Sequence, residues 1–291
     1  MAPILVVGAG FMGTGIAQVC AQSRYEVHLM DIDSLALQRA LGAMEASLKR
    51  LFDKDLLDEP PAAVLERIRP EQSLECAAHV EGVIESVLEI EDLKKEIFRE
   101  LDRLAPRDIF LATNTSSIPV TRLANETRFP ERVLGLHFFG PVPLMGLVEV
   151  VKGDKTAEGV FKKGVAFVKS IGKTPVKVQS DIPCFVMNRI FSAAFREAVD
   201  LVARGVVTPE EVDVGMKLGY GWTAGPFEIA DNAGLDTVAL IGRSMKLLGE
   251  EDLCPRSDLI DRMVREGRTG RKSGRGFYRY TSEGKRVSAE D

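Results

Sequence analysis

His137 and Glu149 sit in the stretch LGLHFFGPVPLMGLVEVV, equidistant from Pro143. If the flanking segments are antiparallel strands joined through the proline-rich connection, residues equidistant from its centre face one another. Their Cβ atoms are then about 4.5 to 5.5 Å apart, which brings imidazole to carboxylate. Glu149 interrupts the apolar run LVEVV, where an unpaired carboxylate is costly to bury. A histidine offsets that cost once it becomes imidazolium, and the carboxylate orients the ring in return. A base held in this way can take a hydroxyl proton as hydride leaves the same carbon. Spacing alone fits a second reading equally well, in which His137 satisfies a buried hydrogen bond and Glu149 is an edge-strand charge.

A second constellation lies near the start of the chain. Gly8-Ala9-Gly10-Phe11-Met12-Gly13 has the form GxGxxG, with the branched run ILVV before it, apolar residues at helical spacing after it, and Asp31 closing the next strand. The first glycine permits a tight turn, the second lets backbone approach a pyrophosphate, and the third lets helix pack on strand. The helix N-terminus then faces the diphosphate. Gly8, Gly10, Phe11, Met12, Gly13 and Asp31 are therefore expected to hold a dinucleotide. Asp31 can accept from both ribose hydroxyls and would repel a 2'-phosphate, which favours NAD over NADP; FAD uses a similar turn and is the main competitor. Asn114-Thr115-Ser116-Ser117 follows an apolar strand, so its hydroxyls stand at a carboxyl end, where open α/β sheets bind ligands. Ser116 could position a substrate hydroxyl or carbonyl, while Ser117 reads equally well as a helix cap.

Other chemistries have little support. The three histidines lack metal-ligand spacing, so no metal is expected. The four cysteines are scattered without CxxC pairs, as suits reduced thiols in the cytoplasm. A net charge of −5 disfavours nucleic acid as a partner. No apolar run approaches the roughly 20 residues of a membrane-spanning helix, and the start of the chain carries no targeting pattern, so a soluble protein is expected.

These residues need a scaffold. Strand patterns at residues 4–7, 26–31, 82–87, 109–112, 133–138, 148–151 and 174–178 alternate with helical ones at 11–21, 90–104 and 158–170. That alternation predicts an α/β Rossmann-type doubly wound sheet. Residues 35–69, capped by Ser34, read as helix interrupted at Pro60 and Pro61, a helical hairpin insertion. Residues 118–123 read as a short helix. Beyond Pro183 the patterns are all helical, at 185–204, 209–218 and 227–248. The 291 residues thus divide into domains 1–182 and 183–291.

GAGFMG, NTSS, LHFFGPVPLMGLVEVV, CFVMNR, GPFEIAD and GRKSGRGFYRY occur in the order and nearly the spacing of one family. Across essentially its whole length the chain resembles the 3-hydroxyacyl-CoA dehydrogenases, including bacterial 3-hydroxybutyryl-CoA dehydrogenases. The resemblance implies NAD-linked oxidation of L-3-hydroxyacyl-CoA to 3-ketoacyl-CoA, as in fatty-acid β-oxidation, and a homodimer made by the helical C-terminal domain. It assigns His137 as base, Glu149 as its paired acid, and Ser116 and Asn188 to the reacting end of the substrate. Glu89, Lys94 and Lys272 match contacts to NAD; without the resemblance, Glu89 and Lys94 read as an exposed helix pair. Ser47 and Lys54 match contacts to CoA, and seven residues apart they are expected on one helical face. Gly140 stands where the family commonly has Asn, and Gly146 where it often has Lys; a wider pocket for an unusual acyl group is one consequence to test. Two rival functions share the nucleotide-binding half: a dehydrogenase of a free hydroxy acid such as carnitine or gulonate, and a non-catalytic NAD-binding protein.

Overall fold

The computed structural model describes residues 3–287. The chain divides between Ile182 and Pro183 into two compact units.

The first unit is built on one eight-stranded sheet of order β3-β2-β1-β4-β5-β6-β7-β8. Its strands are β1 (Ile4–Val7), β2 (Val27–Met30), β3 (Ile68–Glu71), β4 (Gly82–Glu85), β5 (Phe110–Thr113), β6 (Val133–Phe138), β7 (Leu147–Val151) and β8 (Thr174–Val178). Every neighbouring pair is parallel except β6 and β7, which are antiparallel. The central strands are short apolar runs such as ILVV, buried at every position, as a sheet covered on both faces requires. Helices α1 (Phe11–Gln22), α2 (Ser34–Phe52), α3 (Pro61–Leu65), α4 (Glu91–Leu104), α5 (Val120–Ala124) and α6 (Glu158–Ser170) connect the strands. From β1 the chain steps outward to β2 and β3, then crosses back to β4 on the other side of β1. Doubly wound sheets bind ligands at the carboxyl ends of the strands flanking such a reversal. The edge strands β3 and β8 read IRPE and TPVKV.

Several boundaries differ from the sequence reading. Ser34 begins α2 but does not cap it: Asp33, in extended conformation, accepts from the Leu35 amide. The insertion has one long arm, α2, and one short arm, α3. Pro61 sets the start of α3, and the chain then leaves the helix to pair β3 with β2, a strand that the helical pattern concealed. Helix α5 begins at Val120 after Pro119, with no side-chain cap, so Ser117 is not a cap.

The second unit contains α7 (Met187–Ala203), α8 (Pro209–Tyr220), α9 (Pro226–Ala233), α10 (Leu235–Leu247) and α11 (Leu259–Arg265). The pattern over 227–248 is two helices, broken at Gly234, whose φ of 94° lies where side chains are disfavoured. Phe195, Val199, Phe227, Leu235 and Met263 form its core. Two buried aspartates close it. Asp213 accepts from the Phe227 and Glu228 amides and the Tyr278 hydroxyl, and Asp231 from the Phe277 and Tyr278 amides and the Tyr280 hydroxyl. These bonds tie the last described segment, with its short antiparallel bridges, to α8 and α9. Among the described residues, no helix is long and apolar enough to cross a membrane.

Candidate active site

The antiparallel register of β6 and β7 sets His137 directly opposite Glu149. The imidazole Nδ1 donates to Glu149 Oε2 at 2.8 Å. Glu149 is fully buried and His137 is 5% exposed, so the bond lies in a low-dielectric interior where an unpaired carboxylate would be costly. The Phe139 ring tilts against the imidazole at 4.6 Å between centroids. Asn114 Oδ1, at the end of β5, accepts from the Phe138 amide and fixes the backbone beside His137.

His137 opens onto a cavity of about 1320 Å³ within the first unit, larger than the roughly 300–1,000 Å³ of ordinary small-ligand sites. One end is walled by the glycine turn. Gly8 has φ 103°, and a Cβ there would fall 2.6 Å from the Ser86 carbonyl oxygen on the neighbouring crossover. A Cβ on Gly13 would fall 1.8 Å from the Gly8 carbonyl oxygen, whereas one on Gly10 would meet nothing within 4 Å. Gly8 and Gly13 are thus glycine for chain-to-chain approach, and Gly10 keeps open the space before α1. Asp31 Oδ2 accepts from the Ala9 amide and Oδ1 from the Asp33 amide, which anchors the turn beside that space. The donor-rich helix start and the adjacent carboxylate fit the diphosphate and ribose of a dinucleotide. Phe11 and Met12 also line the cavity, with Phe11 71% exposed.

Glu89 and Lys94 do not form an exposed helix pair. Lys94 is 1% exposed, with Nζ 2.5 Å from Glu85 Oε1 and 3.4 Å from Glu89 Oε2. Glu85 also receives the Val87 amide and the Thr113 hydroxyl. Glu89 Oε1 collects the Thr115 and Ser117 hydroxyls and the Ser116 and Ser117 amides. Burial pushes the Glu89 carboxyl up, but the Lys94 ammonium and these hydrogen bonds outweigh it and hold the group below the usual carboxylate range. One buried lysine therefore balances two carboxylates, and the outer one shapes the turn that carries Ser116. Glu85 was not among the sequence candidates; its signal was an acid ending the buried strand GVIE.

Ser47 and Lys54 both line the cavity, though not from one helical face. Helix α2 ends at Phe52, and Lys54 follows in a turn where Asp55 has φ 54°. The residue that shares the Ser47 face is Arg50, a cavity-lining cation absent from the sequence candidates. A Cβ on Gly140 would come within 2.9 Å of the Phe11 ring and 3.2 Å of Met12 sulfur. The space beside Gly140 is therefore filled by these two side chains rather than left as a wider pocket. Gly146 has open space around its Cβ position. Asn188 and Lys272 belong to the second unit: Asn188 borders a small apolar cavity with Phe191 and Cys254, and Lys272 pairs with Asp236 at 2.6 Å.

Residues 3–182 match the family model for the NAD-binding domain of 3-hydroxyacyl-CoA dehydrogenase, and residues 185–280 match that for its C-terminal domain. A probable 3-hydroxybutyryl-CoA dehydrogenase of Deinococcus radiodurans is 41% identical over 276 residues, 94% of this chain and 99% of the relative. Among solved structures, (S)-3-hydroxybutyryl-CoA dehydrogenase PaaH1 from Ralstonia eutropha superposes with a TM-score of 0.90 at 38% identity, covering 96% of this chain and 99% of its own. FadB2 of M. tuberculosis does so with a TM-score of 0.90 at 37% identity, covering 96% and 98%.

Proposed function

This chain belongs to the 3-hydroxyacyl-CoA dehydrogenase family, and from that premise we propose that it oxidises the 3-hydroxyl of an L-3-hydroxyacyl-CoA reversibly, with His137 as general base and Glu149 as its partner. It is an NAD-dependent oxidoreductase acting on CH-OH. The observation that carries the catalytic assignment is the 2.8 Å bond from His137 Nδ1 to a fully buried carboxylate, at the wall of the cavity that holds the glycine turn.

The glycine turn and Asp31 would hold NAD, which would supply the hydride acceptor. The protein's own residues handle the proton. With Nδ1 committed to Glu149, Nε2 takes the hydroxyl proton, and the buried carboxylate stabilises the resulting imidazolium. In the reverse direction the same nitrogen returns the proton to the keto oxygen. Ser116, on the turn held by Glu89, orients the reacting oxygen, and Asn188 is assigned to the same end of the substrate. Glu89 and Lys94 serve the cofactor end, and Lys272 is assigned there too. Ser47, Arg50 and Lys54 offer a hydroxyl and two cations to the phosphorylated CoA arm.

The chain is proposed to act as a cytoplasmic homodimer through its second unit. Leu218, Tyr220 and Leu247 there are 84%, 79% and 89% exposed, apolar side chains that association would cover. The scattered free cysteines suit a reducing compartment. NADH oxidation measured side by side with acetoacetyl-CoA and free acetoacetate tests the substrate class. Turnover is expected with the thioester only; equal turnover of free acetoacetate would transfer the assignment to a hydroxy-acid dehydrogenase, and NADH binding without turnover of either would favour a non-catalytic protein. In the same assay His137→Ala should bind NADH nearly normally and lose at least the ~10²-fold typical of a missing general base.

A further inference from the structure

The loop between β6 and β7 forms the cavity wall next to His137, through Gly140, Pro141, Val142, Pro143 and Leu144. Its own hydrogen bonds are few: the Leu144 and Met145 amides both donate to the Pro141 carbonyl. Two other carbonyls of the loop, those of Val142 and Met145, accept from the ammonium of Lys173, each at 2.7 Å. Lys173 follows Gly172, which turns the chain out of α6 with φ 71°. The next residue, Thr174, donates its amide to Gly146 at the end of the same loop. On the opposite side Val142 is pressed against α1, where a Cβ on Gly15 would fall 2.8 Å from that of Val142.

We propose that Lys173 is a positioning residue for the dehydrogenase reaction, clamping the β6–β7 loop against α1 so that the wall beside His137 keeps the shape that accepts substrate. Several features make the lysine suited to this task. An ammonium has three donors and no acceptor, so it can gather carbonyls that no backbone amide reaches. Lys173 is half-buried, which strengthens charge-assisted bonds relative to water. Cys20 faces it, and burial pushes that thiol up to about 12, so it stays neutral and does not draw the ammonium from the carbonyls. The contact acts on the loop alone. The imidazole is held separately by Glu149 across β6 and β7, so loss of the clamp disturbs the fit of the substrate more than the proton transfer.

This inference rests on the reaction taking place at His137, and the experiment separates the two. Steady-state kinetics with acetoacetyl-CoA and NADH are measured for wild type, Lys173→Met, Lys173→Arg and His137→Ala, together with the thermal midpoint of each. Lys173→Met is expected to raise the KM for acetoacetyl-CoA at least ~10-fold, within the ~10²-fold range that a misplacement of about 1 Å can cost. Its kcat is expected to stay within about threefold of wild type, with the pH profile of kcat unmoved. Lys173→Arg, which keeps donors for both carbonyls, should restore KM. Unchanged kinetics in Lys173→Met would overturn the proposal, as would equal losses of kcat, KM and thermal midpoint in the Met and Arg variants. Should Lys173→Met not fold, Lys173→Gln, which retains one donor group, carries the same comparison. Normal turnover in His137→Ala would instead refute the catalytic assignment, whatever the Lys173 variants do.

Discussion

At the scale of single residues, spacing offered the pairing of His137 with Glu149 as one of two readings, and the strand register sets the two opposite one another. A strand has a period of two, and the acid and the histidine lie equally far from the middle of one connection, so antiparallel pairing leaves them little choice but to meet. Asp31 was legible for a related reason, as the acid closing the strand after a glycine turn. The structure adds that both its oxygens also hold backbone amides, of Ala9 and Asp33. Removing it should therefore loosen the turn as well as remove the proposed ribose contact. Asp31→Ala is expected to weaken NAD binding at least ~10-fold, the scale of a lost hydrogen bond to a charged group, without a matching gain for NADP. Titration calorimetry with both nucleotides checks this, and a change of less than twofold for NAD would remove Asp31 from the site. The buried pairing of Lys94 with Glu85 and the loop contacts of Lys173 were not legible. A lysine in an amphipathic helix or after a helix-ending glycine has the sequence signature of a solvated charge, and only the tertiary fold shows which carboxylates or carbonyls surround it.

At the scale of elements, most strands and helices of the first unit could be read from periodicity, and the errors cluster where local pattern competes with pairing. The helical pattern past Ser47 predicts Lys54 on the same face, but α2 stops at Phe52, and the four residues IRPE of β3 carry almost no apolar alternation to mark a strand. The element with the largest hidden dependence is the pair formed by α4 and the end of β4. Lys94→Met leaves Glu85 buried at 0% exposure without its cation, and breaking a buried pair in this way costs about 3–5 kcal/mol. Urea unfolding followed by circular dichroism should register that loss; a change below about 1 kcal/mol would show that Glu85 is accommodated by Val87 and Thr113 alone. The turn at Asn114–Ser117 depends on the same network. The Glu89 carboxyl is held below its usual range, so its contribution to stability is complete above about pH 4.3 and is lost as pH falls through the lower folded-state value.

At the scale of the whole molecule, the two units carry buried acids whose responses to pH have opposite sign. Burial raises the carboxyls of Asp213 and Asp231 despite the hydrogen bonds each accepts. The folded state then binds more protons than the unfolded state between about pH 3.9 and the raised values, so the contribution of these groups to stability falls as pH rises through that window. Amide exchange, corrected for intrinsic rates, should show Phe277 and Tyr278 gaining protection as pH is lowered toward about 3.9. Ser116 and Ser117 should keep theirs until about pH 4.3 and then lose it. A parallel decline in both places over the whole range would contradict the assignment of these groups. The arrangement of the sheet has a consequence of another kind. Its two rims each contain a proline, Pro70 and Pro175, and a cation, Arg69 and Lys177. A second molecule arriving rim to rim would find a rung missing from the ladder at each proline, which disfavours open-ended strand addition.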